Sequence, residues 1–330
     1  MAPLTVLSQV ALAGLLANAS LGRGNPSSTG LDRHDMLYCG EWQTDRPGEH
    51  MYLIRGGKIV WSYEIGDKEE YGDCWMLSNG NILFSRKDRG ASEIRPDLKR
   101  GKGGTVVWDF QPPKGTEVHT SQPVGADKAL IMQNGFPPKL MLWNRKKNLL
   151  ERTWLPETGT GSVHGQFRHV RMTDKGTLLI AYLNKGKVVE YDQDWKVLWE
   201  YTDAPSVWAA VRLKNGNTLI TGNQHKYVRE ISPDKKVVWE LTQADVDFPL
   251  FVIQEATRLN NGNTLINNWV STSSLPRDKW PGTVQVFEVT PDKKVVWKLS
   301  SWSNPNLGPA SATHILSDPG TPEKLGDLQR

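Results

Sequence analysis

Apolar and polar positions along this chain alternate in short runs, and the runs recur. Ala209–Leu213 is apolar and stops at Lys214-Asn215-Gly216-Asn217. There Asn-Gly tolerates the positive φ of a tight hairpin turn. Thr218–Thr221 follows as a second strand, and Tyr227–Ile231 alternates as a half-buried third. Ser232-Pro233-Asp234-Lys235 makes the next turn, with proline pre-setting φ and aspartate closing the loop. Lys236–Leu241, carrying Val237-Val238-Trp239, is a fourth strand suited to a packed sheet. The phrase then returns: VRLKNGNTLI and VREISPDKKVVWEL, between 211 and 241, become TRLNNGNTLI and VFEVTPDKKVVWKL between 257 and 299. Self-similarity at a period of about 40–60 residues marks a repeat architecture.

Three more worn copies precede these. One runs from Cys74–Leu77 through Ser78-Asn79-Gly80-Asn81 to Thr105–Trp108. The next runs from His119 through Ala129–Met132 to Leu149–Glu151, and the third from Phe167–Val170 through Thr173-Asp174-Lys175-Gly176 to Lys196–Trp199. Ser311–Ser317 reads as a first strand without successors. Leu37–Glu41, Met51–Arg55 and Lys58–Glu64 read as second, third and fourth strands without a first. Joining them gives the predicted fold: all-β, a six-bladed β-propeller of four-stranded blades over 36–318, with almost no helix. It is closed by a C-terminal first strand joining the N-terminal strands, which leaves only short sheet edges. Glu151 stands where other copies carry tryptophan, so the register of that blade is the least defined.

Length alone would suggest about two domains, but the repeat makes one unit. The net charge of +4 is dispersed over turns such as Lys235-Lys236 and argues against a nucleic-acid partner. The apolar stretch Leu4–Leu21 contains Ala17-Asn18-Ala19-Ser20, so 1–19 is expected to be a cleaved signal peptide and the protein periplasmic or secreted. Ser8, Gln9 and Asn18 argue against a stable membrane span. Residues 20–35 read as a linker and 319–330 as a tail. Cys39 and Cys74 fall on neighbouring blades. Export permits a disulfide, but two buried small hydrophobes are the favoured reading. Without Cys-x-x-Cys or His-rich spacing, neither a metal nor a cofactor is expected.

Fourteen tryptophans suggest a sugar-binding surface until they are placed. Trp61, Trp108, Trp199, Trp239 and Trp297 share the fourth-strand slot and are expected to pack between blades. Trp208 begins a first strand and is expected at the channel mouth, and Trp269 follows a second strand in the loop toward the third; both are candidates to stack an indole face on a ligand ring.

The NGN-T-L-I hairpin and PDKKVVWE, similar to the Asp-x-x-Gly-x-x-x-Trp phrase of quinoprotein blades, carry a resemblance. Over most of Leu37–Ser317 the chain resembles the bacterial propellers grouped with arylsulfotransferases and pyrroloquinoline-quinone enzymes. The resemblance implies blade architecture. It does not extend to a quinone site, since no adjacent Cys-Cys pair or acidic metal cluster is present. For an arylsulfotransferase it implies channel histidines supported by arginine.

First strands line a propeller's channel, and the loops leading into them form one concave face. The residues there include Glu70, Glu117 and Ser311, and the densest polar group is Val163–His169. His119, His164, His169 and Arg168 are the candidate catalytic residues, because imidazole transfers protons near neutral pH or acts as nucleophile and guanidinium holds an oxyanion. Trp208, Gln254, Glu255, Trp269, Gln166 and Asp73 are the candidate ligand-binding residues. Glu255 is expected to pair with Arg168 or His169 and raise a histidine's pKa. Arg171, Arg212 and Arg258 read as one recurring position bridging blades. The chain is thus expected to be an exported propeller binding a small polar or aromatic ligand in its channel, with catalysis left open. An arylsulfotransferase-like enzyme and a non-catalytic ring that binds a protein partner are the alternatives.

Overall fold

A computed structural model describes residues 30–42, 48–66, 69–158 and 161–330. The expected signal peptide, 1–19, and the linker up to residue 29 lie outside the described residues. Six antiparallel sheets of four strands form a six-bladed propeller. Blade 1 is the closing one: Ala310–Ile315 pairs with Met36–Gly40, followed by Glu49–Arg55 and Lys58–Ile65. The inner strands of blades 2 to 6 are Tyr71–Met76, Glu117–Val124, Phe167–Met172, Val207–Arg212 and Val252–Arg258. Two 3-10 turns, Gln243–Asp245 and Arg277–Gly282, are the only helix among the described residues. No helix among them is long and apolar enough to cross a membrane.

The repeat phrase is an inter-blade fastening. Gly216 has φ +87°, the conformation its turn requires. The third-strand acids Glu93, Glu190, Glu230 and Glu288 face Trp108, Trp199, Trp239 and Trp297 across the pair. Turn side chains fix them: Asn81, Asn217 and Asn263 each donate to one at 2.6 Å, and Thr177 donates to Glu190. A cation from the next blade or from the segment before the ring completes each cluster. Arg145 reaches Glu93, Arg212 reaches Glu190 at 2.5 Å, Arg258 reaches Glu230 at 2.8 Å, and Arg33 with His34 reaches Glu288. Where Leu53 and Leu142 take the acid's place, the next blade supplies Met76 and Met172 at the Arg258 position. An apolar pair there substitutes for an ionic one.

The indole N–H groups fasten the outer edge. Trp61, Trp199 and Trp239 donate to Gly103, Pro233 and Pro291 carbonyls in the next blade's last turn. In blade 3 the register puts Arg152, not a tryptophan, opposite Leu142. Trp154, two residues on, takes over the donor role toward the Gln193 carbonyl. The placing of Arg171 with Arg212 and Arg258 is corrected. Met172 pairs with Leu178 as Arg212 pairs with Thr218, so Arg171 is one residue early. A one-residue offset reverses the face, and Arg171 points into the channel.

Cys39 and Cys74 are free buried thiols. Residues 319–330, expected as a tail beyond the ring, lie across the turns between first and second strands. Glu323 accepts from Ser78 N at 2.7 Å, and Gly125 N donates to its carbonyl. Arg330 enters the channel, where it donates to Glu255 and to the Cys74 carbonyl. The channel is therefore filled at that end and opens at the other.

Candidate functional site

Every inner strand is irregular at the same level, and that irregularity builds the site. In blade 4 Phe167 pairs with Tyr182 and Val170 with Ile180, so Arg168 and His169 share one opposing residue. The same break isolates Gly72-Asp73, His119, Trp208, Gln254-Glu255 and Ser311 on the other inner strands. A bulge re-aims side chains that a regular strand would alternate. Here it turns adjacent residues toward the axis. Freed amides are capped from the second strand, as Asp73 N is by Ser85 Oγ at 2.8 Å and Ala209 N by Thr221 Oγ1 at 3.1 Å. Gly72 is needed for this packing, because a Cβ there would lie 2.3 Å from the His119 carbonyl oxygen.

The polar residues fall into two layers. The deeper one is saturated. Asp73 receives two bonds from Arg171, at 2.8 and 3.0 Å, and Glu255 receives Arg330 at 2.9 and 3.1 Å. Burial would raise the Asp73 pKa, but Arg171 and His169 outweigh it and hold the carboxyl at about 2. His169 sits against the Gly72 carbonyl, and burial pushes its pKa down despite Asp73. The expected pairing of Glu255 with Arg168 or His169, and a raised histidine pKa, are therefore corrected. Glu255 serves Arg330 and Thr313 N, and His169 is shifted the other way. Asp73 is held by Arg171 in this deeper layer. The Gln166 amide clamps Gly135, accepting from its N at 2.8 Å and donating to its O at 3.0 Å.

The upper layer opens to solvent. Glu117 Oε2 lies 3.0 Å from His119 Nε2 and 2.9 Å from His164 Nδ1. Burial opposes ionisation of Glu117, but bonds from the two imidazoles hold it below the usual carboxylate range. Burial, with the charge of Arg168, pushes His119 down to about 4, so it is neutral at pH 7. His164 has a side chain 52 % exposed and faces the cavity. Arg168 is only 1 % exposed, and its Nη1 donates to the Phe167 carbonyl. Its Nε and Nη2 have no hydrogen-bond partner among the described residues. The guanidinium lies 4.5 Å from the Trp208 ring centroid.

Glu70, His164 and Arg168 line the floor of a mouth cavity of about 710 Å³, and His119 lines a small void beneath it. The cavity walls include Trp208, Gln254, Trp269, Trp42, Asn223 and the serines of 271–274. Trp42 and Trp269 stand 4.8 Å apart, and Trp269 Nε1 donates to Glu41 at 2.9 Å. Burial, then the neighbouring Glu70 and Glu49, pushes Glu41 well above the usual carboxylate range. Of the residues expected from sequence, His164, Arg168, Trp208, Gln254 and Trp269 line the mouth cavity, His119 and His169 line the small void beneath it, and Asp73 and Glu255 lie in the deeper layer. Glu70 and Glu117 were legible as residues leading into inner strands. Glu41 and Trp42 lie at the end of a second strand, where only the isolated aromatic is a signal.

No protein-family model and no curated protein matches the chain. Solved structures do. A protein of unknown function from Bacteroides caccae is 23 % identical, with a TM-score of 0.72 over 84 % of this chain and 97 % of that one. A catalytically inactive virginiamycin B lyase from Staphylococcus aureus with quinupristin is 10 % identical, with a TM-score of 0.51 over 81 % and 96 %. The Swd1 β-propeller domain of Myceliophteria thermophila is 10 % identical, with a TM-score of 0.55 over 82 % and 83 %. At these identities the likeness shows the propeller fold and no activity. The resemblance to arylsulfotransferases and quinoproteins holds for the propeller alone.

Proposed function

We propose that this propeller binds a small anionic ligand bearing a flat ring in its mouth cavity. The observation that carries the reading is Arg168. A buried guanidinium with two nitrogens unpaired among the described residues is costly, and a carboxylate or sulfate accepts from such a fork in bidentate fashion. Trp208 backs the guanidinium, and Trp42 with Trp269 offers aromatic surface above it. The cavity volume suits a small molecule. Glu117 orients His164 at the cavity edge, which is the arrangement an imidazole needs to transfer a proton or attack an activated group.

A thermal-shift screen with aryl carboxylates, aryl sulfates, sugar acids and neutral sugars tests this. Anionic ring compounds should raise the melting temperature of the wild type and leave Arg168→Met unmoved. Neutral sugars acting as well as acids, or an undiminished shift in Arg168→Met, would refute it. A sulfuryl-sized mass increase on His164 after incubation with an aryl sulfate would extend the reading to an arylsulfotransferase-like reaction.

A further inference from the structure

The mouth holds a second feature that anion binding does not use. Glu70, His119 and His164 come from blades 2, 3 and 4, and each offers a donor atom within 4.8 Å of the other two. We propose that these three residues bind one divalent transition-metal ion of the Zn²⁺ type. Two imidazoles and one carboxylate are a recurrent donor set for Zn²⁺ and for other first-row ions with open coordination positions. Glu117 supplies what such sites require behind the ligands. A single carboxylate oxygen contacts both imidazoles, at His119 Nε2 and His164 Nδ1, and fixes their rotation.

The deeper trio of Asp73, His169 and Glu255, one imidazole and two carboxylates at similar spacing, provides a contrast. Arg171 and Arg330 already occupy both of its carboxylates, so a cation there would displace two buried guanidinium groups. In the upper trio Lys87 lies 3.3 Å from Glu70 Oε1, and Arg168 is near Glu70 and His119 without a hydrogen bond to either among the described residues. The Lys87 ammonium is partly exposed and flexible, and it can move into solvent when an ion arrives. Open positions on the ion would lie near Arg168, which lines the same cavity as Glu70 and His164. A ligand oxyanion could then bridge the metal and the guanidinium. The inference about the ion does not depend on that ligand.

The test uses the whole protein, stripped with chelator and titrated with ZnCl₂ by calorimetry and with CoCl₂ by visible absorption. One ion per chain should bind, with Co²⁺ showing the d–d bands of a nitrogen–oxygen site, and MgCl₂ should give no comparable heat. His164→Ala and Glu70→Gln, both at accessible positions, should each weaken Zn²⁺ binding by at least about tenfold. His225→Ala, an exposed imidazole outside the trio, should leave it unchanged. Arg168→Met should retain the ion while losing the anionic ligand, so the two readings fail separately. No stoichiometric binding to the wild type, or equal affinity in His164→Ala, would overturn the assignment.

Discussion

The ionic fastening between blades 5 and 6 is open to a double-mutant test, because the chain carries its own apolar substitute. Glu230 accepts from Asn215 at 3.0 Å, Asn217 at 2.6 Å and Arg258 at 2.8 Å, with side chains 8 % and 16 % exposed for the acid and the arginine. Breaking a fully buried pair by removing one partner costs about 3–5 kcal/mol. Some water reaches this one, so Glu230→Leu should cost about 2–3 kcal/mol. Arg258, left without its anion, is the main source. Replacing both, Glu230→Leu with Arg258→Met, recreates the Leu142 and Met172 arrangement of blades 3 and 4. That double variant should return to within about 1 kcal/mol of wild type, since an apolar pair of similar volume replaces a desolvated ionic one. Urea unfolding followed by tryptophan fluorescence measures both. A double variant as unstable as Glu230→Leu would mean that the two arrangements are not interchangeable and that the reading of the repeat is wrong.

Three further outcomes follow from the channel and core. Asp73 is held at about 2 against an ordinary 3.8, so its folded pKa is the lower one. The stability it contributes, about 2 kcal/mol, is present above pH 4 and lost as pH falls toward 2. Asp73→Asn should flatten that part of a melting-temperature profile, and an unchanged acid limb would contradict the assignment. Arg330→Ala should lower the melting temperature by several degrees because Glu255, 2 % exposed, loses its cation, and Glu255→Gln added to it should restore part of the loss. A thiol reagent should find neither Cys39 nor Cys74 in the native protein and both in denaturant. Reaction of either in the native state would show that the core between blades 1 and 2 opens.

The blades were legible because their turns and slots repeat. PDKK and the fourth-strand tryptophan hold an inter-blade contact, NGN fixes within its own blade the acid that receives the next blade's cation, and such contacts need the same residue types in each copy. Blade 3 was the least legible, since Arg152 and Trp154 share there the work one tryptophan does elsewhere. In the site, sequence located the residues but not their depth. The bulges that turn Arg168 and His169 toward the axis leave no mark in the hydrophobic period. Period-2 reasoning therefore could not divide the upper layer from the saturated one. Arg330 carried no signal, because a residue beyond the last strand reads as tail until the chain is seen to fold back.

The central claim is that Arg168 is kept buried and under-bonded for a ligand and not for the fold. Melting Arg168→Met with and without an anionic ring compound that stabilises the wild type tests it most directly. Methionine removes a desolvated charge with two unpaired donors, so the ligand-free variant should melt no lower than wild type, and the ligand should no longer raise its melting temperature. A variant that melts several degrees lower yet keeps the full ligand shift would show that Arg168 supports the ring and that the anion, if it binds, does so elsewhere.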